Sequence, residues 1–391
     1  VRSRLEKSLL ILVAFVFSVG LWHGYTRGGQ DFRVFDTAAR FVLEGQWSAL
    51  YREGPDRFLY APGFSILFSP LSLFEQPVSH ALWLALLTIS FFLSMRMLFA
   101  RHGLLPVCIA ILFSMRSIWI DLRYGQVNLL ILSLAICALL NFSKPSTDLR
   151  SERILFLSWL GLGIAAISKL YPLALLAIPF FRFRNGKWER KSFIALGGAA
   201  LGVWIILVLP FIFAQGEGRF LYEEWIAALG RRGFPTDTHN QSFLAFLHRI
   251  LSGEDFYSLT LGGTPLKTAF LTLSTGTLRA IGLVFSLGVA ALFLRVVRKV
   301  KDEELASFLA LSLCFLPAHL IWKSYFLLAL PLVAIVAKGK YRVPVILLGC
   351  CLIFTSNEFL SPTAAAWVEA SSIFLWAHLA IISFALARPS S

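Results

Sequence analysis

Charge is scarce in this chain: Asp, Glu, Lys and Arg make up 15% of its 391 residues, against 57% hydrophobic. With a mean hydropathy of +0.73, that scarcity excludes an ordinary soluble domain. Acidic residues are the rarer charge, 22 against 36 basic, leaving a net +14. In a soluble chain such an excess would suggest nucleic acid. Here the Lys and Arg fall in short clusters between apolar runs, so they read as topology signals and no nucleic-acid partner is expected. The cysteines are few, and Cys108, Cys137, Cys314, Cys350 and Cys351 all sit inside apolar segments. A thiol there behaves as a small hydrophobe, which argues against a disulfide framework or a metal site. Internal repeats and low-complexity tracts are absent. So is the alternating pattern of a membrane barrel, which leaves helices as the spanning structure.

What is present is a succession of apolar runs at about 8–24, 78–99, 104–120, 126–142, 154–168, 171–182, 192–214, 278–297, 303–318, 323–337, 342–356 and 370–387. They predict one all-α domain over 1–391, a polytopic integral membrane protein of about 12 transmembrane helices, with no room for a separate soluble domain. The stretch from Ala61 to Phe74 contains Pro62 and Pro70 and reads as a re-entrant or interfacial helix or an extra span. The run Leu9–Leu21 follows Arg2, Arg4 and Lys7 as a signal peptide would. The segment Trp22-His23-Gly24-Tyr25 lacks a small-residue cleavage pattern, so a retained first span is expected.

Basic clusters at Arg2/Arg4/Lys7, Lys144/Arg150/Arg153, Arg182/Arg184/Lys187/Arg190/Lys191, Arg295/Arg298/Lys299/Lys301 and Lys338/Lys340/Arg342 mark alternate loops as cytoplasmic. The other loops then face outward from the cytoplasmic (inner) membrane, including the two long ones at about 25–60 and 215–263. Each is expected to carry amphipathic helix lying on the bilayer surface. In the first, Asp36 can cap the helix, Ala38, Phe41 and Val42 recur at helical spacing, and Gly45 supplies a stop. In the second, Phe220–Leu229 and Phe243–Leu251 show two-faced patterns.

The first long loop opens Asp31-Phe32-Arg33-Val34-Phe35, continues through Gly45 to Tyr51, and ends Tyr60-Ala61-Pro62. Further on come Gly125-Gln126-Val127-Asn128, Lys169-Leu170-Tyr171-Pro172, and Asn240-Gln241-Ser242 with Arg249 seven residues later. In this order the segments resemble glycosyltransferase family 87, which contains polyprenyl-phosphate-mannose-dependent mannosyltransferases of the GT-C superfamily. The resemblance runs from residue 31 to 331. It implies a GT-C-like fold, a polyprenyl-phosphate sugar donor, a glycan or glycolipid acceptor outside the membrane, and inversion at the anomeric carbon. The residues Leu316-Pro317-Ala318-His319-Leu320-Ile321-Trp322-Lys323-Ser324-Tyr325, followed by Pro331, resemble the family's Ser-Pro-x-x-Trp-x-His-Tyr segment. They depart from it at Leu316, where Ser is common, and at Ser324, where His is common.

The resemblance places the base that deprotonates the acceptor hydroxyl at Asp31, a role that needs a carboxylate within hydrogen-bond reach. The bland alternative pairs Asp31 with Arg27 or Arg33. Cations must meet the donor phosphate. Lys169 and Arg116 lie embedded in apolar runs, where a charge is costly unless paired or functional. Asp121 offers Arg116 a structural partner, and Arg249 reads equally as a phosphate ligand or a lipid-facing arginine. Gln126 and Asn128 at a helix start either bind sugar or cap, and capping accounts for only one of them. Tyr60 and Tyr171 enter as substrate-binding residues through their motifs. Asn240, Gln241 and Ser242 either read hydroxyls or begin the helix after them. His319 or Lys323 could replace the missing His as donor to the phosphate, while a helix-end role competes for His319. No Asp-x-Asp motif occurs and side-chain cations can do a metal's work, so neither a metal nor another cofactor is expected. Two alternatives stand beside the hexosyltransferase, whose expected sugar is mannose: a transporter or lipid flippase lined by Arg116, Lys169 and His319, and a GT-C enzyme using another lipid-linked sugar such as aminoarabinose or glucose.

Overall fold

The computed structural model describes all residues except 1, 53–57, 145–147, 182, 185–186, 232–235, 259–260, 268–271, 357 and 389–391. Arg182 of the basic clusters lies outside the described residues. In chain order the helices are α1 (Arg2–Arg27), α2 (Gln30–Leu43), α3 (Pro62–Phe68), α4 (Gln76–His102), α5 (Leu104–Tyr124), α6 (Asn128–Phe142), α7 (Leu149–Ser168), α8 (Ala177–Phe181), α9 (Arg190–Phe213), α10 (Gly218–Arg231), α11 (Phe243–Leu251), α12 (Thr275–Lys299), α13 (Glu303–Leu313), α14 (Leu330–Val336), α15 (Arg342–Phe354), α16 (Pro362–Ala370) and α17 (Ile373–Leu386). Two short antiparallel hairpins, β1 (Phe183–Arg184) with β2 (Lys187–Trp188) and β3 (Phe256–Ser258) with β4 (Thr264–Leu266), are the strands among the described residues.

Six of these helices, α1, α4, α5, α7, α9 and α12, are long and apolar enough to cross a membrane, or up to seven spans if the bent pair α16–α17 counts as one. The remaining apolar runs form shorter pieces. Pro172 lies near the start of a 3-10 turn, Tyr171–Leu176, that leads into α8, and Pro331 sits at the start of α14 after another, Lys323–Ala329. Proline supplies no amide hydrogen to the helical ladder, and each run breaks where it stands. Between α16 and α17 the axis turns by 49°.

The chain divides into two compact units. The first comprises Val16–Met97 and Asp121–Gly233. Its centre is the pair α7 and α9, which approach closely enough that a Cβ on Gly202 would run into the Leu160 carbonyl. Between lipid-immersed helices there is little hydrophobic driving force, and small residues at the contact let dispersion hold the pair. On α9 sits α3, and on α3 sits α2, whose Phe32, Phe35, Ala38 and Ala39 are buried. Phe35 meets the rings of Tyr60, Phe64 and Trp83 edge-on, with centroids 4.9, 5.2 and 6.1 Å away. The apolar face of α2 is thus covered by protein, where a bilayer-surface helix was expected. Asp36 does not cap α2. The helix starts six residues earlier, at Gln30, and Asp36 lies buried within it, accepting from Arg40 Nε at 3.0 Å. Gly45 does end it, at φ +71.

The second unit comprises Val1–Phe15, Leu98–Ile120 and Phe234–Ser391. Here α12 lies against α11 and α13, while α13, α14 and α17 pack together around Phe315, Phe326, Phe374 and His378. Side-chain oxygens of Ser242, Ser274, Asp302 and Ser361 accept from first-turn amides of α11, α12, α13 and α16 and fix where these helices begin.

Candidate functional site

In the first unit, Gly125-Gln126-Val127-Asn128 forms the turn between α5 and α6. Gly125 has φ +65, and a Cβ there would stand 2.7 Å from Cβ of Phe32. The turn therefore lies directly against the first turn of α2, which carries Asp31. Trp83 Nε1 fastens it from the other side by donating to the Gly125 carbonyl at 2.8 Å. Asp31 is half-buried, and it interacts electrostatically with Asp121 at the end of α5.

Asn128 is the hub of this site. Its Nδ2 donates to Asp121 Oδ1 and to Gln126 Oε1, both at 2.7 Å. Its Oδ1 accepts from Lys169 Nζ at 2.8 Å and from the Tyr171 hydroxyl at 3.1 Å. Lys169 also lies 5.9 Å from the centroid of the Tyr60 ring. The structure thus gathers Tyr60, Gln126, Asn128, Lys169 and Tyr171 in one place, adjoining the turn that bears Asp31. The first-turn amide of Leu129 donates to Asp121 Oδ2 at 3.0 Å, so the cap comes from the preceding helix.

That use of Asp121 removes it as the partner of Arg116. Arg116 belongs to the second unit, where Nη2 donates to Glu369 Oε1 at 2.8 Å and Nη1 to the Leu352 carbonyl at 2.9 Å. Lys323 Nζ reaches the same Glu369 oxygen at 2.5 Å. Lys323 and Glu369 are buried, and two cations share one carboxylate. Ser117 Oγ donates to the Lys323 carbonyl at 2.8 Å, tying this cluster to α5.

Asn240, Gln241, Ser242 and Arg249 are fully buried in the second unit and bond mostly to backbone. Asn240 Nδ2 and Ser242 Oγ donate to the His319 carbonyl at 3.0 and 2.9 Å, and Asn240 Oδ1 accepts from Ile321 N at 3.1 Å. Gln241 Nε2 donates to the carbonyls of Thr238 and Glu369. Arg249 Nε donates to the Ala370 carbonyl at 3.0 Å, Nη1 to those of Asp237 and Asn240 at 2.9 and 2.8 Å, and Nη2 to Ser372 Oγ at 2.6 Å. Burial lowers the Arg249 pKa to about 10, opposed by Asp237 and Glu369, so the group is charged at neutral pH. These four residues join three loops of the second unit through those bonds. His319 enters through its carbonyl, and its side chain is exposed.

Glu369 was not singled out by sequence, and Asp121 only as a partner for Arg116. The available signal was the same for both: an acid embedded in an apolar helix, which requires a partner.

Comparison with solved structures finds a similar fold in the crystal structure of ArnT from Cupriavidus metallidurans in the apo state. The TM-score is 0.51, over 97% of this chain and 77% of that one, at 13% sequence identity. No curated protein sequence matches this chain. The fold and its long apolar helices define a multi-pass membrane protein. The sequence model of glycosyltransferase family 87 matches residues 58–331, more than half of the length, and the chain belongs to that family. Asp31 lies ahead of the matched region. Membership in a glycosyltransferase family also displaces the transporter and flippase alternative.

Proposed function

We propose that this enzyme transfers a hexose, mannose in the first instance, from a polyprenyl-phosphate carrier to a glycan or glycolipid acceptor with inversion at the anomeric carbon. Asp31 takes the proton of the attacking acceptor hydroxyl. Lys169, with the Tyr171 hydroxyl beside it, meets the donor phosphate, which gains charge as the glycosidic bond breaks. The reading rests on one observation: the turn that carries Asp31 adjoins Gly125, three residues from the Asn128 amide that holds Lys169 and Tyr171. Inversion accords with a single displacement, in which one carboxylate acts as base and needs no nucleophilic partner. We assign the site to the outer face of the cytoplasmic membrane from the alternation of basic loops, with about twelve crossings in which the shorter apolar helices take part.

The test is transfer by membranes carrying Asp31→Asn, supplied with radiolabelled polyprenyl-phosphate mannose. Transfer should fall by about 100-fold or more, as loss of a general base requires; a wild-type rate would remove Asp31 from the mechanism. Ser324, in the place where the family carries His, gives specific grounds for testing polyprenyl-phosphate glucose and aminoarabinose in parallel.

A further inference from the structure

We infer that Asp121 is a positioning residue for the donor-binding lysine and acts on it through Asn128; this rests on the assignment of Lys169 to the donor phosphate. Asp121 is fully buried, and both of its carboxylate oxygens accept hydrogen bonds, Oδ1 from Asn128 Nδ2 and Oδ2 from the Leu129 amide. The second Asn128 amide hydrogen goes to Gln126 Oε1. With both N–H groups directed at oxygens, the Asn128 carbonyl has to face the other way, toward Lys169 Nζ and the Tyr171 hydroxyl. A carboxylate only accepts, so turning the amide over would set its oxygen against Asp121 and its N–H groups against the ammonium. Asp121 therefore fixes the polarity of the relay. A neutral amide oxygen, in turn, orients Lys169 without itself adding a counter-charge. A direct Asp–Lys ion pair would aim the ammonium equally well and neutralise it.

Asp121→Asn preserves shape and an acceptor for Leu129, but it supplies N–H groups that permit the reversed relay. In the exchanged pair, Asp121→Asn with Asn128→Asp, the hydrogen bonds re-form while the carboxylate now touches Lys169. The measurement is binding of undecaprenyl monophosphate to the purified full-length chain in detergent, by microscale thermophoresis, with melting temperatures and donor KM and kcat recorded alongside. Lys169→Met and Asp121→Asn should each weaken binding about tenfold or more, the scale of one charge-assisted hydrogen bond, with the Asp121→Asn effect in KM rather than kcat. The exchanged pair should melt like wild type yet bind as weakly as Lys169→Met. Wild-type affinity in Asp121→Asn, or in the exchanged pair should the single variant not fold, overturns the relay while Lys169→Met still loses binding. Equal affinity in wild type and Lys169→Met instead overturns the donor-site assignment and the relay with it.

Discussion

Arg249→Met distinguishes a phosphate ligand from a structural clamp. Arg249 is 1% exposed, and its guanidinium makes four bonds of 3.0 Å or less, three to carbonyls and one to Ser372 Oγ. Hydrogen bonds from a charged donor contribute roughly 1.5–3 kcal/mol each, so their simple sum is about 6–12 kcal/mol. Methionine also relieves the chain of a buried charge and leaves its neighbours free to relax, which brings the expected loss to about 3–5 kcal/mol, the range seen when one partner of a buried charged contact is removed. Larger chains shift by roughly 2–4 °C per kcal/mol or less, giving a fall in Tm of about 5 °C or more. Thermal unfolding of the detergent-purified protein measures this, and KM for the lipid-linked donor is read on the same preparation below its Tm. A clamp lowers Tm and leaves KM within about twofold, well under the tenfold per 1.4 kcal/mol that a lost substrate contact would produce. A Tm within 2 °C of wild type, by the same scaling less than about 1 kcal/mol, together with a raised KM, would refute the clamp and return Arg249 to the phosphate.

Glu369→Gln strands Arg116 and Lys323 without their shared counter-charge and should cost about 3–5 kcal/mol, whereas Lys323→Met leaves the Arg116–Glu369 pair balanced and should cost less. The order of the two melting temperatures checks this, and the reverse order would deny that both cations depend on Glu369. Gly125→Ala places a Cβ against Phe32 at a left-handed backbone position, with a strain of about 1–2 kcal/mol. Because the displaced turn adjoins Asp31, kcat for transfer should fall at least tenfold, out of proportion to this strain's small effect on Tm; an unchanged kcat would separate the turn from the chemistry.

Much of this protein was legible from its sequence, because the physics concerned is local. A bilayer demands long apolar runs whatever their neighbours, so α1, α4, α5, α7, α9 and α12 appear at the expected places within a few residues. Lys169-x-Tyr171 and Gln126-x-Asn128 each hold two polar side chains within three residues of each other, so their motifs survive as units and meet in one hydrogen-bond network. The amphipathic patterns of α10 and α11 were likewise visible.

Tertiary structure alone decided which charge serves which partner. Asp121 lies five residues from Arg116, yet it caps α6 and holds Asn128, while Arg116 pairs with an acid 253 residues away. Arg249 reaches a carbonyl 121 residues further along. A buried ion takes the oxygen that folding brings to it, because desolvation makes any nearer but misaligned partner too weak to compensate. Composition and periodicity therefore fixed the solvent and the helices, and the directions of hydrogen bonds across distant loops set which residues gather around Asn128 and which join the loops of the second unit.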